Sequence, residues 1–183
     1  SNQGFRDFLG GAPANVAFAL KKLKIDSTFI GSLGSDDYGK KFITQFNELD
    51  VNVDFLQLDN DSSTRVVNVD RDQFGNRFFS GFEESSHSCF ADEVLCKKLI
   101  EKEIFNLEKS FLEAKYLVTG TILLSSPISA ETIFFLIEKA KQFDVKIVID
   151  LNWREVFWDY SSFSSKISKA SRVYLIKKFL NNA

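Results

Sequence analysis

Apolar residues recur at the spacing of an amphipathic helix in three segments of the chain. The segments are 13–24, about 36–49 and 129–143. In the first segment the apolar positions recur at intervals of three and four residues: Val16, Ala19, Leu20 and Leu23. This spacing places them on one helix face, which we expect to pack on a core. Weaker patterns predict shorter helices near 91–103 and 165–180.

The start of the second helix carries a capping signal. Ser35 precedes Asp36 and Asp37, and serine is favoured at the residue before a helix, where its hydroxyl accepts from a free backbone N–H. The two acids would then lie in the first turn and complement the helix dipole. We therefore expect Ser35 to cap this helix.

Short apolar runs alternate with these helices. They lie at 28–31, 116–119 and 145–149 and are rich in β-branched residues. Because polar residues do not alternate within them, we expect strands that are buried on both faces. Helices alternating with such strands predict an α/β fold, in which helices cover both faces of a mainly parallel sheet.

One segment has a different pattern. Runs 64–72 and 77–82 are rich in strand-forming residues and flank a turn that contains Gly75 and Asn76, which predicts a hairpin. Polar and apolar residues interleave in the first run, as is typical of a sheet with one open face. The hairpin should project from the main sheet, and we expect Arg65 to be a solvated charge on it.

A glycine turn lies directly before the first helix, in the string GGAPANVA at 10–17. Gly10 and Gly11 permit a tight turn and let a ligand approach without a Cβ in the way. Pro13 suits the first helical position. Asn15 then lies in the first turn, beside free N–H groups that favour ligand oxygens. The alternative is a turn and cap without a ligand.

Polar residues follow the last predicted strand. Asp150 lies at its carboxyl end, where open α/β sheets bind ligands, and Asn152 and Arg154 come next. A guanidinium at this edge can hold phosphate or sugar oxygens with two parallel hydrogen bonds. The alternative is that Asp150 caps the following residues while Trp153 and Trp158 belong to the core.

Composition narrows the classes of function. A net charge of −2 without a basic run argues against a nucleic-acid partner. No apolar stretch approaches the ~20 residues of a membrane span, and we expect no membrane partner. Cys89 and Cys96 have no neighbours at metal-ligand spacing, and two cysteines fit a reducing, cytoplasmic location. His87, the single histidine, has no catalytic partner nearby and is expected in a surface loop.

Four motifs together resemble a known family. The string at 10–17 resembles the first signature of the PfkB (ribokinase-like) carbohydrate kinases, in particular fructokinase-like members. IGSLGSDDYG at 30–39, TRVV at 64–67 with GNRF at 75–78, and DLNWR at 150–154 are similar to later segments of that family, in its order. Four ordered motifs are much more specific than one, and the resemblance covers nearly the whole chain.

The resemblance implies a fold and an activity. The fold is ribokinase-like, with a small projecting β lid at about 64–82 that closes over the sugar. The activity is ATP-dependent phosphorylation of a sugar hydroxyl by in-line transfer, with ATP and Mg as cofactors. The implied substrate-binding residues are Gly10, Gly11, Asn15, Arg77, Asn152 and Arg154. Arg154 is also implied as a stabiliser of the transferred phosphoryl group. Independently of the resemblance, a hairpin face rich in Val and Phe is costly to expose to water, so we expect a homodimer partner or a closed lid to cover it.

Two family features are absent from this sequence. One is the second signature, Asp-Thr-x-Gly-Ala-Gly-Asp, which carries the catalytic aspartate and the anion hole; the other is the strand before the glycine turn. With no Met in the chain, we expect 1–183 to be the N-terminal and central part of one ribokinase-like domain. The catalytic residue and the ATP-binding part are expected beyond Ala183, and no metal ligand is expected within the chain.

One alternative function remains beside the sugar kinase. A kinase-like protein that binds a sugar or partner without catalysis would show the same motifs. A dinucleotide-binding dehydrogenase needs Gly-x-Gly-x-x-Gly, and Ala12 and Pro13 after the glycines exclude it. For a kinase the sugar is open, with fructose ahead of 2-keto-3-deoxygluconate, ribose and nucleosides.

Overall fold

A computed structural model of the chain describes most of the sequence. The described residues are 8–83, 89–152, 154–159 and 168–182. Within them the α-helices are α1 Ala12–Lys22, α2 Asp37–Glu48, α3 Lys97–Lys102, α4 Ile104–Glu113, α5 Pro127–Gln142, α6 Glu155–Asp159 and α7 Lys169–Asn182. The strands are β1 Thr28–Gly34, β2 Asn52–Asp59, β3 Val67–Arg71, β4 Arg77–Phe82, β5 Tyr116–Gly120 and β6 Lys146–Asp150. Two 3₁₀ helices lie at Ala91–Val94 and Ile122–Ser125.

The strands pair in the predicted directions. β1 pairs in parallel with β2, and β5 pairs in parallel with β6, from Tyr116 opposite Lys146 to Gly120 opposite Asp150. β3 and β4 form an antiparallel hairpin with its own two-stranded sheet. We call β3, β4 and the turn between them the lid hairpin. Parallel strands alternating with helices confirm the α/β class, although hydrogen bonds join the described strands only as three pairs.

Two apolar clusters form the core. The larger one centres on α5, whose buried side chains are Ala130, Ile133, Leu136, Ile137 and Ala140. β2, β5, β6 and α7 pack against the same cluster. The smaller cluster joins α1, α2 and β1, with Phe46 fully buried among other aromatic rings. The predicted apolar face of the last long helix builds the core, but the face predicted for the first is wrong, because Ala14, Ala17 and Phe18 are buried while Val16 and Leu23 are 37% and 70% exposed.

The expected burial of strands on both faces is wrong for β5 and β6. Leu117 and Ile147 face the α5 cluster, whereas Tyr116, Val118 and Val148 are 57%, 36% and 44% exposed. Side chains alternate between the two faces of a strand, and α1, which contacts β5, covers only part of this second face. The apolar run predicted the strands correctly but not which of their faces is covered.

The turn between β1 and α2 differs from the expected one. Asp36, not Ser35, caps α2, because its Oδ1 accepts a 2.8 Å hydrogen bond from the N–H of Gly39. Its Oδ2 accepts a 2.6 Å hydrogen bond from the N–H of Thr64, whose Oγ1 in turn accepts from the N–H of Gly34 at 3.0 Å. Asp36 reaches both backbone sites from the cap position, while Ser35 is exposed. These contacts fix the chain that leads into the lid hairpin.

Among the described residues, none of the helices combines the length and the apolar character that crossing a bilayer would require.

Candidate functional site

The glycine turn before α1 is open on its outer side. Gly11 has a φ of 94° and lies at the cap position of α1, a left-handed conformation that favours glycine. Its carbonyl accepts a 2.9 Å hydrogen bond from the N–H of Asn15, whose side chain is exposed. A Cβ built at Gly10 or Gly11 would meet no atom within 4 Å. The turn therefore leaves space beside exposed backbone.

A cleft lies between the start of α1 and the carboxyl ends of β5 and β6. It is lined by Ala12, Pro13, Val16, Val118, Thr119, Gly120, Thr121, Ile122, Leu123, Asp150 and Asn152. Ligands of open α/β sheets bind at such strand ends. The structure thus brings the helix after the glycine turn against the segment that follows the last strand, two regions about 140 residues apart in sequence.

Backbone hydrogen bonds fix the end of β6. The Oδ1 of Asp150 accepts a 3.0 Å hydrogen bond from the N–H of Asn152, and the N–H of Thr121 donates to the Asp150 carbonyl at 3.3 Å. The capping role considered for Asp150 is therefore present. This hydrogen bond uses only the backbone of Asn152, so the Asn152 side chain stays available for a ligand role, and Asn152 lines the cleft.

The other predicted binding residues are not among those that line the cleft. Gly10, Gly11 and Asn15 belong to the turn and first helical turn at its border, but they are not among its lining residues. Arg154 is exposed, and its carbonyl accepts from the N–H of Phe157 at the start of α6. Arg77 is exposed at the start of β4. The structure does not bring it to the cleft.

Sequence reasoning missed the contribution of β5. Thr119 and Thr121 are buried beside the cleft, and Gly120 lies between them. The signal was available, because the same strand-end argument that selected Asp150 applies to the end of the 116–119 run. Two residues named above, His87 and Trp153, lie outside the described residues, so their predictions stay untested. Trp158 is buried in the core, as the core alternative proposed for it.

Arg65 is not the solvated charge expected from the sequence. Its side chain is 6% exposed. Its Nε donates to Asp92 at 3.1 Å, and its Nη2 lies 3.2 Å from the carboxylate of the buried Glu93. Burial raises the pKa of the Asp92 carboxyl above its ordinary value, and the charge of Arg65 opposes this rise without cancelling it. The prediction was wrong because β3 begins only at Val67, so Arg65 precedes the exposed hairpin.

The guanidinium of Arg65 also lies against three aromatic rings. Its carbon is 4.2 Å from the ring centroid of Phe90, 4.8 Å from that of Phe82 and 5.1 Å from that of Phe157. These are cation–π distances. The three rings belong to three separate parts of the chain, so Arg65 joins them at the base of the lid hairpin.

The acidic residues do not gather into a metal site in the part of the chain that the structure describes. No group of three or more His, Cys, Asp or Glu side chains is placed to hold an ion there. Mg²⁺ in kinases is held by one or two carboxylates together with substrate phosphates. The described residues therefore do not fit a metal cage formed by the protein alone.

Comparison with known proteins places the chain in a family. A family model described as pfkB family carbohydrate kinase matches residues 1–177. The chain is 30% identical to a fructokinase of Salmonella typhimurium over 81% of its own length and 45% of that protein. It is also 30% identical to a 5-dehydro-2-deoxygluconokinase of Bacillus licheniformis over 84% of its length and 45% of that protein. The chain thus spans less than half the length of these relatives.

Solved structures agree. The crystal structure of a Vibrio cholerae fructokinase in its fructose, ADP and calcium ion bound form matches with a TM-score of 0.77 and 25% identity, over 100% of this chain and 53% of that one. A Xylella fastidiosa fructokinase matches with a TM-score of 0.74 and 26% identity, over 96% and 50%. With the glycine turn, the parallel strands and the hairpin in place, the chain belongs to the pfkB family of carbohydrate kinases.

Proposed function

We propose that the protein containing this chain is an ATP-dependent kinase that phosphorylates a hydroxyl group of a sugar, with fructose as the leading substrate. The observation that carries the proposal is the cleft where α1 meets the ends of β5 and β6. Relatives named fructokinase and 5-dehydro-2-deoxygluconokinase support a sugar or sugar-acid substrate. The second name keeps a 2-keto sugar acid as an alternative to fructose.

Sugar recognition is assigned to backbone and amide groups. The open turn at Gly10 and Gly11 lets a hydroxyl-rich ligand approach the main chain closely. Asn15 and Asn152 each supply amide donors and an amide acceptor, which match the mixed donor and acceptor character of sugar hydroxyls. The apolar lining from Pro13 and Val16 would pack against the less polar face of the sugar and exclude water.

Charge stabilisation is assigned to arginine. Arg154 follows the strand end on which Asn152 is fixed, and it is exposed. A rigid guanidinium binds anionic oxygens with two parallel hydrogen bonds, so Arg154 would stabilise negative charge on the transferred group. Arg77 would reach the sugar only when the lid hairpin moves toward the cleft, because it is exposed in this structure.

We assign 1–183 to the N-terminal and central part of a ribokinase-like domain. ATP and Mg²⁺ are the proposed cofactors of the longer protein, supported by the ATP-bound fructokinase of Xylella fastidiosa. Bound Mg²⁺ would neutralise phosphate charge. The residues described here contribute sugar binding and orientation, and the catalytic base is proposed to lie outside 1–183.

The lid hairpin is the proposed contact of a homodimer in the cytoplasm. Val67, Val69 and Phe78 are 40%, 53% and 50% exposed on it. Apolar strand faces and free strand edges favour pairing with a partner. Light scattering on the full-length protein tests this proposal, and a monomer at micromolar concentration would contradict it.

The kinase proposal is tested on the full-length protein with ATP, Mg²⁺ and a panel of sugars and sugar acids. We expect ADP release that depends on one ketose or 2-keto sugar acid. Arg154→Ala should lower kcat/KM about ten- to a hundredfold, the effect of one charge-assisted pair made in the transition state. Arg154→Lys should recover only part of it, and the exposed Lys109→Ala on α4 is the control.

Two results would contradict the proposal in different ways. Sugar binding measured by calorimetry without ADP release would favour the non-catalytic alternative. Wild-type kcat/KM in Arg154→Ala would remove the phosphoryl-stabilising role of Arg154 while leaving the kinase activity in place.

A further inference from the structure

Arg65 joins the lid hairpin to the segment that follows β6. We use the name Arg65 cluster for a set of six side chains: Arg65, Phe82, Phe90, Asp92, Glu93 and Phe157. Phe82 is the last residue of β4, and Phe157 belongs to α6. The two rings also contact each other edge to face, with centroids 5.3 Å apart. One buried cation thus connects β4, which begins at Arg77, with α6, which directly follows Arg154.

Short segments of the chain link the Arg65 cluster to Arg77 and Arg154. Phe157 donates its N–H to the carbonyl of Arg154 at 3.0 Å, so a shift of Phe157 moves the backbone that carries the Arg154 guanidinium. Phe82 ends the strand that begins at Arg77. The position of Arg77 relative to Arg154 therefore depends on the packing around Arg65.

Burying a guanidinium at this position costs free energy that an apolar side chain filling the same space would not cost. Arg65 is 6% exposed, and among the described residues its Nη1 and Nη2 have no hydrogen-bond acceptor of good geometry. Replacing buried ion pairs by apolar residues is often neutral or stabilising. What the planar group supplies is orientation, because it pairs with Asp92 through Nε while its flat surface contacts three rings.

We propose that Arg65 is a positioning residue that holds the base of the lid hairpin against α6 and thereby sets the affinity for the sugar. The inference rests on the proposed kinase function. Apparent affinity falls in proportion to the fraction of molecules in the binding-competent arrangement. If loss of the guanidinium lowers that fraction about tenfold, KM for the sugar rises about tenfold while kcat at saturating sugar changes little.

The test compares Arg65→Lys with Arg172→Lys in the full-length protein. Arg172 is a close match: it is 11% exposed, pairs with Asp159 at 2.7 Å and lies 5.7 Å from the ring of Trp158. It thus packs on α6 as Arg65 does, but without contacting the lid hairpin. We expect Arg65→Lys to raise the KM for the sugar about tenfold with kcat within about twofold, and Arg172→Lys to leave both near wild type.

A second readout needs no activity. Trypsin can cut the lid hairpin only after Arg71 and Arg77, and both residues are exposed. Cleavage at these sites should be faster in Arg65→Lys than in wild type or Arg172→Lys, because the hairpin base is held less firmly. Phe157→Leu, which removes one ring but stays apolar, should change KM and cleavage in the same direction.

The possible outcomes distinguish the positioning role of Arg65 from the proposed kinase function. Wild-type KM and lid cleavage in both Arg65→Lys and Phe157→Leu would overturn the positioning role. Equal losses of kcat and kcat/KM in Arg65→Lys would also overturn it, since they indicate an interaction made only in the transition state. A wild-type protein inactive with all sugars would contradict the proposed function, while faster lid cleavage in Arg65→Lys would still support the mechanical role of Arg65.

Discussion

Two glycine-containing turns of this chain use the same residue for opposite reasons. At the turn before α1, a Cβ on Gly10 or Gly11 would meet no atom within 4 Å. At the turn between β1 and α2, a Cβ on Gly34 would lie 2.6 Å from the N–H nitrogen of Thr64, and a Cβ on Gly39 would overlap the carbonyl of Gly34. The second turn needs glycine to pack, whereas the first leaves space that none of the described residues fills.

The comparison assigns a different role to each motif. The second turn anchors the chain at Thr64, just before the lid hairpin, because the N–H of Thr64 donates to Asp36 and its Oγ1 accepts from the N–H of Gly34. Its glycines are therefore structural. The first turn borders the cleft at the strand ends, so its open side is available to a ligand. Substitutions that separate stability from sugar binding test this assignment.

Gly39→Ala should have the largest effect on the free energy of unfolding. The added methyl group would overlap the Gly34 carbonyl, and backbone cannot move aside as a flexible side chain can. We expect a loss of about 3 kcal/mol or more, or a protein that does not fold. Urea unfolding of the full-length protein measures it. A loss under about 0.5 kcal/mol would show that the turn is not packed as described.

Thr64→Val should have the next largest effect. It keeps the shape of the side chain but removes the Oγ1 that accepts the N–H of Gly34 in a buried place. An unsatisfied buried N–H costs about 1–3 kcal/mol. Thr44→Val is the matched control, since its hydroxyl bonds the Lys40 carbonyl at the exposed surface of α2. Equal losses for both variants would mean that the Gly34 contact contributes little.

Some helices and strands could be predicted from the sequence and others could not. The apolar spacing predicted α1 over 13–24 and α5 over 129–143, close to the observed bounds, because helical periodicity is a local property. The spacing selected the buried face of α5 correctly but not that of α1, where Ala14, Ala17 and Phe18 are buried. It did not predict β2 at Asn52–Asp59, where polar residues interrupt the apolar ones, or α4 at Ile104–Glu113. Local patterns fail where burial is decided by neighbours that are distant in sequence.

For the candidate site, too, the sequence was informative about some residues and misleading about others. Asn152 was selected because a strand end is visible in the sequence, and the structure places it in the cleft. Arg65 was misjudged because its neighbours, Asp92 and Phe157, lie 27 and 92 residues away in sequence. Only the turn at Gly10 and Gly11 was interpreted as a ligand motif, and the open space around it is consistent with that interpretation. The ligand roles themselves stay predictions.

Acid should weaken the second turn through Asp36. Burial alone would raise the pKa of this carboxyl, but hydrogen bonds from the N–H groups of Gly39 and Thr64 hold it below its ordinary value. Its contribution is therefore present above about pH 4 and is lost as the pH falls through the lower folded pKa. Asp36→Asn replaces a charged acceptor by a neutral one, which should cost about 1 kcal/mol at neutral pH, and this difference from wild type should shrink in acid.

Urea midpoints from neutral pH down to about pH 2.5 measure this difference. Asp37→Asn removes a neighbouring carboxylate that pairs with Lys40 at the surface, and its cost at neutral pH should be smaller. A gap between wild type and Asp36→Asn that stays constant down to the lowest pH would mean that the Asp36 charge does not stabilise the turn.

Gly10→Ala should have the smallest effect on stability and the most informative one on function. The added methyl group meets no protein atom, so the free energy of unfolding should change by less than about 0.5 kcal/mol. If a sugar approaches the turn, the same methyl group would occupy its space and lower kcat/KM at least about tenfold.

Gly11→Ala is the comparison: its φ of 94° adds strain of about 1 kcal/mol to any effect on the ligand. Steady-state kinetics beside urea unfolding separates these contributions in each variant. A Gly10→Ala protein with wild-type stability and wild-type kcat/KM would mean that the open side of the first turn faces solvent, and the difference between the two turns would then be one of packing alone.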